Sequence, residues 1–205
     1  LQVTVEHVAV INWTQDFSLL DPVTDVVYGI EPAVTTWIDK GTSSTNLTQT
    51  TVANQADLVA GEMVFNGDDF YDGVEVQAGS WSYYFEVDFT RVLGSMSNML
   101  RSSIQGNISK LADDTIRIRS EQASNQTMPD YVVTGGLKKL LIIKNPTHLL
   151  IYENGLLVSS KTYGASTFSS YNTLGWASAS LNSEIKAFKV IDRALTDQEA
   201  IAETT

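Results

Sequence analysis

The densest set of metal-binding side chains lies in one short acidic turn. The run Asn66-Gly67-Asp68-Asp69, followed by Asp72, supplies carboxylate and amide oxygens. Calcium takes roughly six to eight oxygen ligands of these kinds. One interpretation is therefore a calcium site formed by Asn66, Asp68, Asp69 and Asp72. The other is that these side chains hydrogen-bond to the backbone and only shape the turn.

Aromatic side chains next to small or polar residues form a second group of candidates. Rings in such loops can stack on sugars, so these residues are predicted to bind carbohydrate. The candidates are Trp13, Tyr71, Tyr163, Tyr171 and Trp176. Packing beneath loops or at a protein interface is the alternative use of the same rings.

One pair of carboxylates has a spacing that suits glycoside hydrolysis. Glu86 and Asp88 lie two residues apart in a predicted strand, which puts them on one face about 6.6–7 Å apart. A retaining glycosidase needs its two carboxyl groups about 5–5.5 Å apart, and side-chain rotation can close that gap. The alternative is a solvated polar face. The two histidines, His7 and His148, are far apart in sequence, and the chain has no cysteine and no nucleophile elbow. We therefore expect a protein that is not an enzyme.

Composition limits the class of partner. The 205 residues include 24 acidic and 13 basic side chains, for a net charge of −11. Because the basic side chains are too few to form a continuous phosphate-binding surface, no nucleic acid partner is expected. No apolar run reaches the length of a membrane span, and the first residues lack the basic and apolar regions of a signal peptide. Length and composition predict one all-β domain over residues 1–205.

Strand periodicity is clearest in the middle of the chain. Residues 81–89 alternate large apolar side chains with mainly polar ones, as expected for a strand at the centre of a sheet. Residues 115–119 alternate apolar with basic side chains. Asn154-Gly155 separates two apolar runs and predicts a type I′ hairpin.

The last part of the chain carries two further signals. The apolar positions of residues 184–191 change phase, which predicts a β-bulge near Ala187. Thr196 and Glu199 form a capping-box pattern that begins a short C-terminal helix. Many short strands and one helix predict a two-sheet antiparallel β-sandwich.

Three segments together resemble the laminin-G-like, pentraxin-like branch of the concanavalin A-like superfamily. The first runs from residue 33 to 70 and includes Trp37-Ile38-Asp39-Lys40 and Phe65-Asn66-Gly67-Asp68-Asp69. The second, residues 150–158, includes the hairpin Tyr152-Glu153-Asn154-Gly155, and the third, residues 184–199, ends in Asp192-Arg193-Ala194-Leu195-Thr196-Asp197-Gln198-Glu199. The resemblance implies a concanavalin A-like jelly roll over residues 33–204. Asn66 stands where the family pattern has an aspartate. Residues 1–32 match no part of it and either complete the sandwich or form an arm. The sequence itself predicts a strand over residues 1–11 and, from Pro22, Gly29 and Pro32, a loop over residues 12–33.

The resemblance implies three functions, in order of preference. The first is a non-enzymatic structural or adhesion module at an extracellular or virion surface, of the kind found in bacterial and phage proteins, with copies of itself or other structural proteins as partners. The second is a calcium-assisted carbohydrate-binding module. The third is a glycoside hydrolase that uses Glu86 and Asp88.

Overall fold

The computed structural model describes residues 14–17, 34–75, 79–92, 94–102, 106–119, 125–163, 171–175 and 182–205. Sixteen strands and one α-helix lie in these ranges. The first eight strands are β1 Thr14–Asp16, β2 Thr36–Trp37, β3 Leu47–Thr48, β4 Asp57–Val59, β5 Glu62–Val64, β6 Phe70–Asp72, β7 Trp81–Asp88 and β8 Ser97–Arg101. The others are β9 Asn107–Lys110, β10 Thr115–Arg119, β11 Asn125–Val132, β12 Leu137–Lys144, β13 His148–Glu153, β14 Leu156–Thr162, β15 Thr173–Gly175 and β16 Glu184–Ile191, followed by helix α1 Asp197–Thr204.

The strands form two antiparallel sheets of eight strands each. Sheet A has the order β14-β13-β12-β7-β16-β5-β4, and β1 also pairs with β16. Sheet B has the order β11-β10-β9-β8-β15-β6-β3-β2. The predicted all-β, two-sheet sandwich with a short C-terminal helix is confirmed.

The core lies between the inner faces of the two sheets. Every second residue of β7 points inward, and Trp81, Tyr83, Phe85 and Val87 are fully buried. Phe188 of β16 packs on this row, with its ring centroid 5.0 Å from that of Phe85. A continuous aromatic core of this kind stabilises the sandwich mainly by removing apolar surface from water.

Helix α1 covers the outer face of sheet A. Tyr84, Leu141, Tyr152 and Ala200 are buried together in a second, smaller apolar cluster. The sequence predicted a mainly polar outer face for β7. This face is partly apolar instead, because Tyr84 is buried in the cluster under α1. The capping box is present, since Thr196 accepts from the Glu199 amide and Glu199 accepts from the Thr196 amide.

Most local predictions for the second half of the chain are confirmed. Asn154 and Gly155 have φ values of 48° and 80° and connect β13 to β14, as a type I′ turn requires. The register between β16 and β7 shifts between Ile185 and Ala187, where the bulge was predicted. Residues 12–33 were predicted to be a loop, yet Thr14–Asp16 forms β1 and pairs with β16. The strand predicted over residues 1–11 lies outside the described residues.

In the described ranges, no helix has both the length and the apolar character needed to cross a membrane.

Candidate functional site

The acidic turn is held by hydrogen bonds of its own. The Asn66 amide donates to Asp69 Oδ2 at 2.6 Å, and the Asn66 side chain donates to Asp57 Oδ2 at 3.3 Å. Burial raises the pKa of Asp69 to about 6; the Asn66 bond opposes this rise, while Asp57 and Asp68 add to it. The bond between the Asn66 amide and the Asp69 carboxylate is a side-chain-to-backbone bond of the kind that the turn interpretation expects.

Asp72 serves a different part of the molecule. It lies on β6, where its Oδ1 accepts from the hydroxyl of Thr173 at 3.0 Å. Among the residues that the structure describes, no three acidic, His or Cys side chains come close enough together to hold a metal ion. Calcium binding by Asn66, Asp68, Asp69 and Asp72 stays a prediction.

The predicted sugar-stacking aromatics have three different placements. Tyr71 is fully buried, and its hydroxyl donates to the Val34 carbonyl at 2.6 Å and accepts from the Ala56 amide at 3.0 Å. Tyr171 is also buried, with edge contacts to Trp81 and Tyr83. Neither ring offers an exposed face to a sugar, so the structure corrects these two candidates to core residues.

Tyr163 is half-buried beside a lysine. Its hydroxyl donates to the Asn145 carbonyl at 2.5 Å, and Lys144 Nζ lies 5.8 Å from its ring centre. Trp13 and Trp176 lie outside the described residues. The aromatic set therefore does not form one site in the described part of the chain.

Glu86 and Asp88 project from the outer face of sheet A, as their spacing predicted. Burial alone would raise the pKa of Asp88, but hydrogen bonds from Thr90 and Gly136 and the charge of Arg91 lower it below its usual range. Glu86 lies 3.8 Å from Lys186 Nζ. A glycosidase acid needs a raised pKa, and Asp88 has the opposite shift.

A cleft of about 450 Å³ opens between β1, β16 and α1. Its charged side chains are paired with one another. Arg193 is bonded to Glu199 at 2.6 Å, and Lys189 to Glu203 at 2.6 Å. A ligand in this cleft would have to displace these ion pairs, so the cleft is a weak candidate for a binding site.

A stronger candidate is the outer face of sheet B, where polar side chains line up across seven strands. Each is the direct cross-strand partner of the next, and each is adjacent in sequence to a residue buried in the core. This cross-strand row is Arg119, Asn107, Arg101, Thr173, Asp72, Thr48 and Thr36. A row in register over seven strands gives an extended ligand a continuous series of hydrogen-bonding groups.

A second, shorter row runs beside the first. Arg117 pairs with Ser109, and Ser109 pairs with Asn98. Asn98 Oδ1 accepts from Ser109 at 2.6 Å and from Asn107 Nδ2 at 3.3 Å. Ser109 and Asn98 are buried although they face away from the core, and Ser109 is the direct cross-strand neighbour of the half-buried Arg117.

This face concentrates the arginines of an acidic protein. Arg101, Arg117 and Arg119 are three of the five arginines in the chain. The Nε atoms of Arg117 and Arg119 and the Oδ1 of Asn107 are buried and have no hydrogen-bond partner in the described part of the chain. Buried polar atoms without partners are costly, and they are common where a ligand supplies the missing partner.

The sequence analysis did not identify this face. The alternation of residues 115–119 already placed Arg117 and Arg119 on one side of a strand, and that was the available signal. Strands β8 and β9, which bring Arg101 and Asn107 to the same face, were not predicted.

Solved structures with the same architecture come from several organisms. The CBM40 domain of Ruminococcus gnavus IT-sialidase aligns with a TM-score of 0.56 and 12% identity, covering 70% of this chain and 96% of that domain. Trypanosoma rangeli sialidase aligns with a TM-score of 0.60 and 12% identity over 87% of this chain. The chain spans 31% of that sialidase. The binding domain of botulinum neurotoxin DC, in complex with SialylT, aligns with a TM-score of 0.59 and 13% identity. The alignment covers 80% of this chain and 47% of that chain.

At this level of identity the comparisons show the fold. The chain has the same two-sheet β-sandwich fold as these domains. The Ruminococcus gnavus CBM40 domain has also been solved bound to alpha2,3 sialyllactose. No family profile matches the sequence, and no curated protein matches it.

Proposed function

We propose that this protein is a non-enzymatic carbohydrate-binding module that holds a glycan across the outer face of sheet B. The observation that carries the proposal is the cross-strand row, which runs in register over seven strands. Glycans bind through many hydroxyl groups, and this row offers both donors and acceptors to them. The fold supports the proposal, since similar structures include a carbohydrate-binding module and a toxin binding domain.

The test is a glycan array followed by calorimetry on the strongest hits. Asn107→Ala should weaken binding about tenfold or more, because it removes side-chain hydrogen bonds from the row between Arg119 and Arg101. Gln198→Ala, on the exposed surface of α1 behind sheet A, is the matched control and should bind as the wild type does. An array without hits, or equal losses in both variants, would refute the proposal.

The non-enzymatic part of the proposal has its own test. The lowered pKa of Asp88 keeps this carboxylate ionised and unsuited to protonating a leaving group. Prolonged incubation with each bound glycan should return the glycan intact by mass spectrometry. Hydrolysis that disappears in Glu86→Gln would establish a glycosidase instead.

A structural or adhesive role in an extracellular or virion surface assembly is a second proposal. Its basis is the edge strand β14, where Leu156 and Leu157 are 68% and 52% exposed. An exposed apolar edge strand favours association with another chain or copy. Light scattering should then show an oligomer that Leu157→Lys dissociates, whereas a monomer at all concentrations would count against self-assembly. Calcium assistance is likewise a proposal, tested in the Discussion.

A further inference from the structure

We propose that Arg117 and Arg119 bind an acidic group of the glycan, a carboxylate or a sulfate, so that the ligand class is acidic rather than neutral glycans. This inference rests on the proposed function and narrows it. Its basis is that the two arginines share the outer face of sheet B, form no ion pair among the described residues and lie beside the polar groups of the cross-strand row.

Both side chains leave β10 on the same side. Ile116 and Ile118, their neighbours in sequence, are fully buried in the core, so Arg117 and Arg119 occupy the outer face. Residues two apart in a strand are separated by about 6.5–7 Å. Two guanidinium groups at this spacing can hold one acidic group between them or two acidic groups on adjacent sugars.

Among the residues that the structure describes, neither arginine has a carboxylate partner. Arg193 forms two hydrogen bonds with Glu199, at 2.6 and 2.8 Å, and Arg91 lies 2.8 Å from Glu184. Arg117 and Arg119 take part in none of the ion pairs found in the described part of the chain, and their Nε atoms are buried without a partner.

This arrangement is unfavourable without a ligand. Burial first, and the charge of Arg119 second, lower the pKa of Arg117 from its ordinary value. Two like charges that are adjacent and partly desolvated destabilise the folded state. The chain has 24 acidic side chains, yet none in its described part pairs with Arg117 or Arg119. A planar anion would relieve both effects, because guanidinium binds carboxylate and sulfate through paired N–H donors.

The cross-strand row gives the ligand a direction. Arg119, Asn107 and Arg101 lie on adjacent strands at one end, so Arg119 and Arg101 are about 9.5 Å apart. Asp72 lies beyond Thr173 on the other side and accepts hydrogen bonds. An acidic sugar fits over β8–β10, and the hydroxyl groups of the following sugars fit over β15 and β6.

The experiment compares glycans that differ only in the acidic group. Lactose, alpha2,3-sialyllactose and sulfated lactose are titrated into the full chain by calorimetry, at low and at high salt. If lactose binds too weakly to be measured, it is replaced by another neutral glycan from the array, together with the acidic glycan that differs from it only in the acidic group. The acidic member should bind about tenfold or more tighter, and added salt should weaken its binding more than that of the neutral member.

Variants assign this preference to the pair. Arg117→Gln and Arg119→Gln should each reduce the ratio of acidic to neutral affinity from about tenfold or more to near one, because each removes a guanidinium that binds the acidic group. Their melting temperatures should equal or exceed that of the wild type, because a like-charge repulsion is removed. Arg91→Gln, away from this face, is the matched control and should retain the preference.

Four outcomes would overturn the inference. Equal affinity for neutral and acidic glycans would leave the proposed function standing and refute the anionic ligand. Equal loss of preference in Arg91→Gln would show a general charge effect. Tighter binding of a single-stranded oligonucleotide than of every acidic glycan would assign the arginines to nucleic acid phosphate. A chain that binds no glycan at all would refute both proposals together.

Discussion

Arg193 and Glu199 are joined by two hydrogen bonds, at 2.8 and 2.6 Å, across the entry to helix α1. The same carboxylate accepts from the Thr196 amide at 2.9 Å and completes the capping box. Glu199 therefore fixes both the first turn of the helix and the segment that follows β16. The helix in turn covers the apolar outer face of sheet A.

This relationship predicts a pH-dependent contribution to stability. The bonds from Arg193 first, and from Thr196 next, lower the pKa of Glu199 from 4.5 to about 2. A lowered pKa means that the stabilisation is complete above the unfolded value near 4.5 and is lost as the pH falls through 2. Because the Glu199 side chain is 42% exposed, solvent screening limits its contribution to about 1 kcal/mol.

Glu199→Gln should therefore lower the free energy of unfolding by about 1 kcal/mol at pH 7. The difference from the wild type should shrink as the pH approaches 2. Urea denaturation across this range measures both effects. Gln198→Ala, on the same helix and exposed, should change stability by less than about 0.5 kcal/mol at every pH. A Glu199→Gln effect that does not vary with pH would contradict the role of the charge.

Asp69 predicts the opposite dependence. Its carboxyl group is buried, and its pKa is raised from 3.8 to about 6. The folded state then holds this proton more tightly than the unfolded state, so stability is highest below about 3.8 and is lost as the pH rises through 6. Asp69→Asn removes the buried charge and leaves a side-chain oxygen to accept from Asn66.

Asp69→Asn should accordingly be more stable than the wild type by about 2–3 kcal/mol at pH 7.5 and equal to it at pH 3.5. Chemical denaturation with a chelator present gives both values. Asp68→Asn is the control, because Asp68 is exposed, and it should show little difference at either pH. A wild type that is the more stable protein at pH 7.5 would show that the charge of Asp69 is needed.

The same variants test the predicted calcium site. If Asn66, Asp68, Asp69 and Asp72 bind calcium, millimolar calcium should raise the melting temperature of the wild type and not that of Asp69→Asn. Magnesium at the same concentration serves as the ionic-strength control. Identical melting curves with and without calcium would favour the interpretation in which the turn is shaped by hydrogen bonds alone.

The contrast between β7 and β8 shows what the sequence could reveal about the fold. β7 was predictable because Trp81, Tyr83 and Phe85 alternate with smaller or polar residues in eight consecutive positions. β8 was not, because its five residues, Ser97–Arg101, hold few apolar side chains and the register shifts within the strand. A short strand with a bulge has no steady period of two, and only pairing with its neighbours defines it.

The candidate site was hidden for a related reason. Arg101, Asn107 and Arg119 lie 6 to 18 residues apart in sequence and become neighbours only through the register of β8, β9 and β10. Tyr71 and Tyr171 were misleading in the opposite direction. Each adjoins polar residues in sequence, yet tertiary packing buries both rings. A strand of only three residues, such as β6, is too short to show an alternation of apolar and polar residues. The local sequence therefore predicts neither its register nor the burial of its side chains.

The buried hydroxyl of Tyr71 predicts a large effect of a small change. It donates to the Val34 carbonyl and accepts from the Ala56 amide, so it links two backbone segments inside the core. Tyr71→Phe leaves both groups buried without a partner and should destabilise the protein by about 2–4 kcal/mol. Thermal and urea denaturation measure this loss.

Tyr171→Phe is the matched control for this prediction. Its hydroxyl donates to the Arg119 carbonyl over a longer 3.3 Å, so its removal should cost less than about 1 kcal/mol. Equal losses in the two variants would mean that ring packing, rather than the Tyr71 hydrogen bonds, is what the substitution disturbs.

Gly175 allows the end of β15 to pass close to the acidic turn. Its φ is +78°, and a Cβ placed on it would lie 2.6 Å from the Asp69 carbonyl oxygen, a backbone atom that cannot rotate away. Gly175→Ala combines the strain of a left-handed conformation with this collision and should cost about 3 kcal/mol or more. Gly136→Ala, at φ +92° with no atom within 4 Å, carries the strain alone and should cost about 1–2 kcal/mol.

Because β15 pairs with both β6 and β8 in sheet B, Gly175→Ala should also weaken glycan binding, whereas Gly136→Ala should not. Equal destabilisation by both substitutions would show that the backbone around Asp69 can move to accept a side chain.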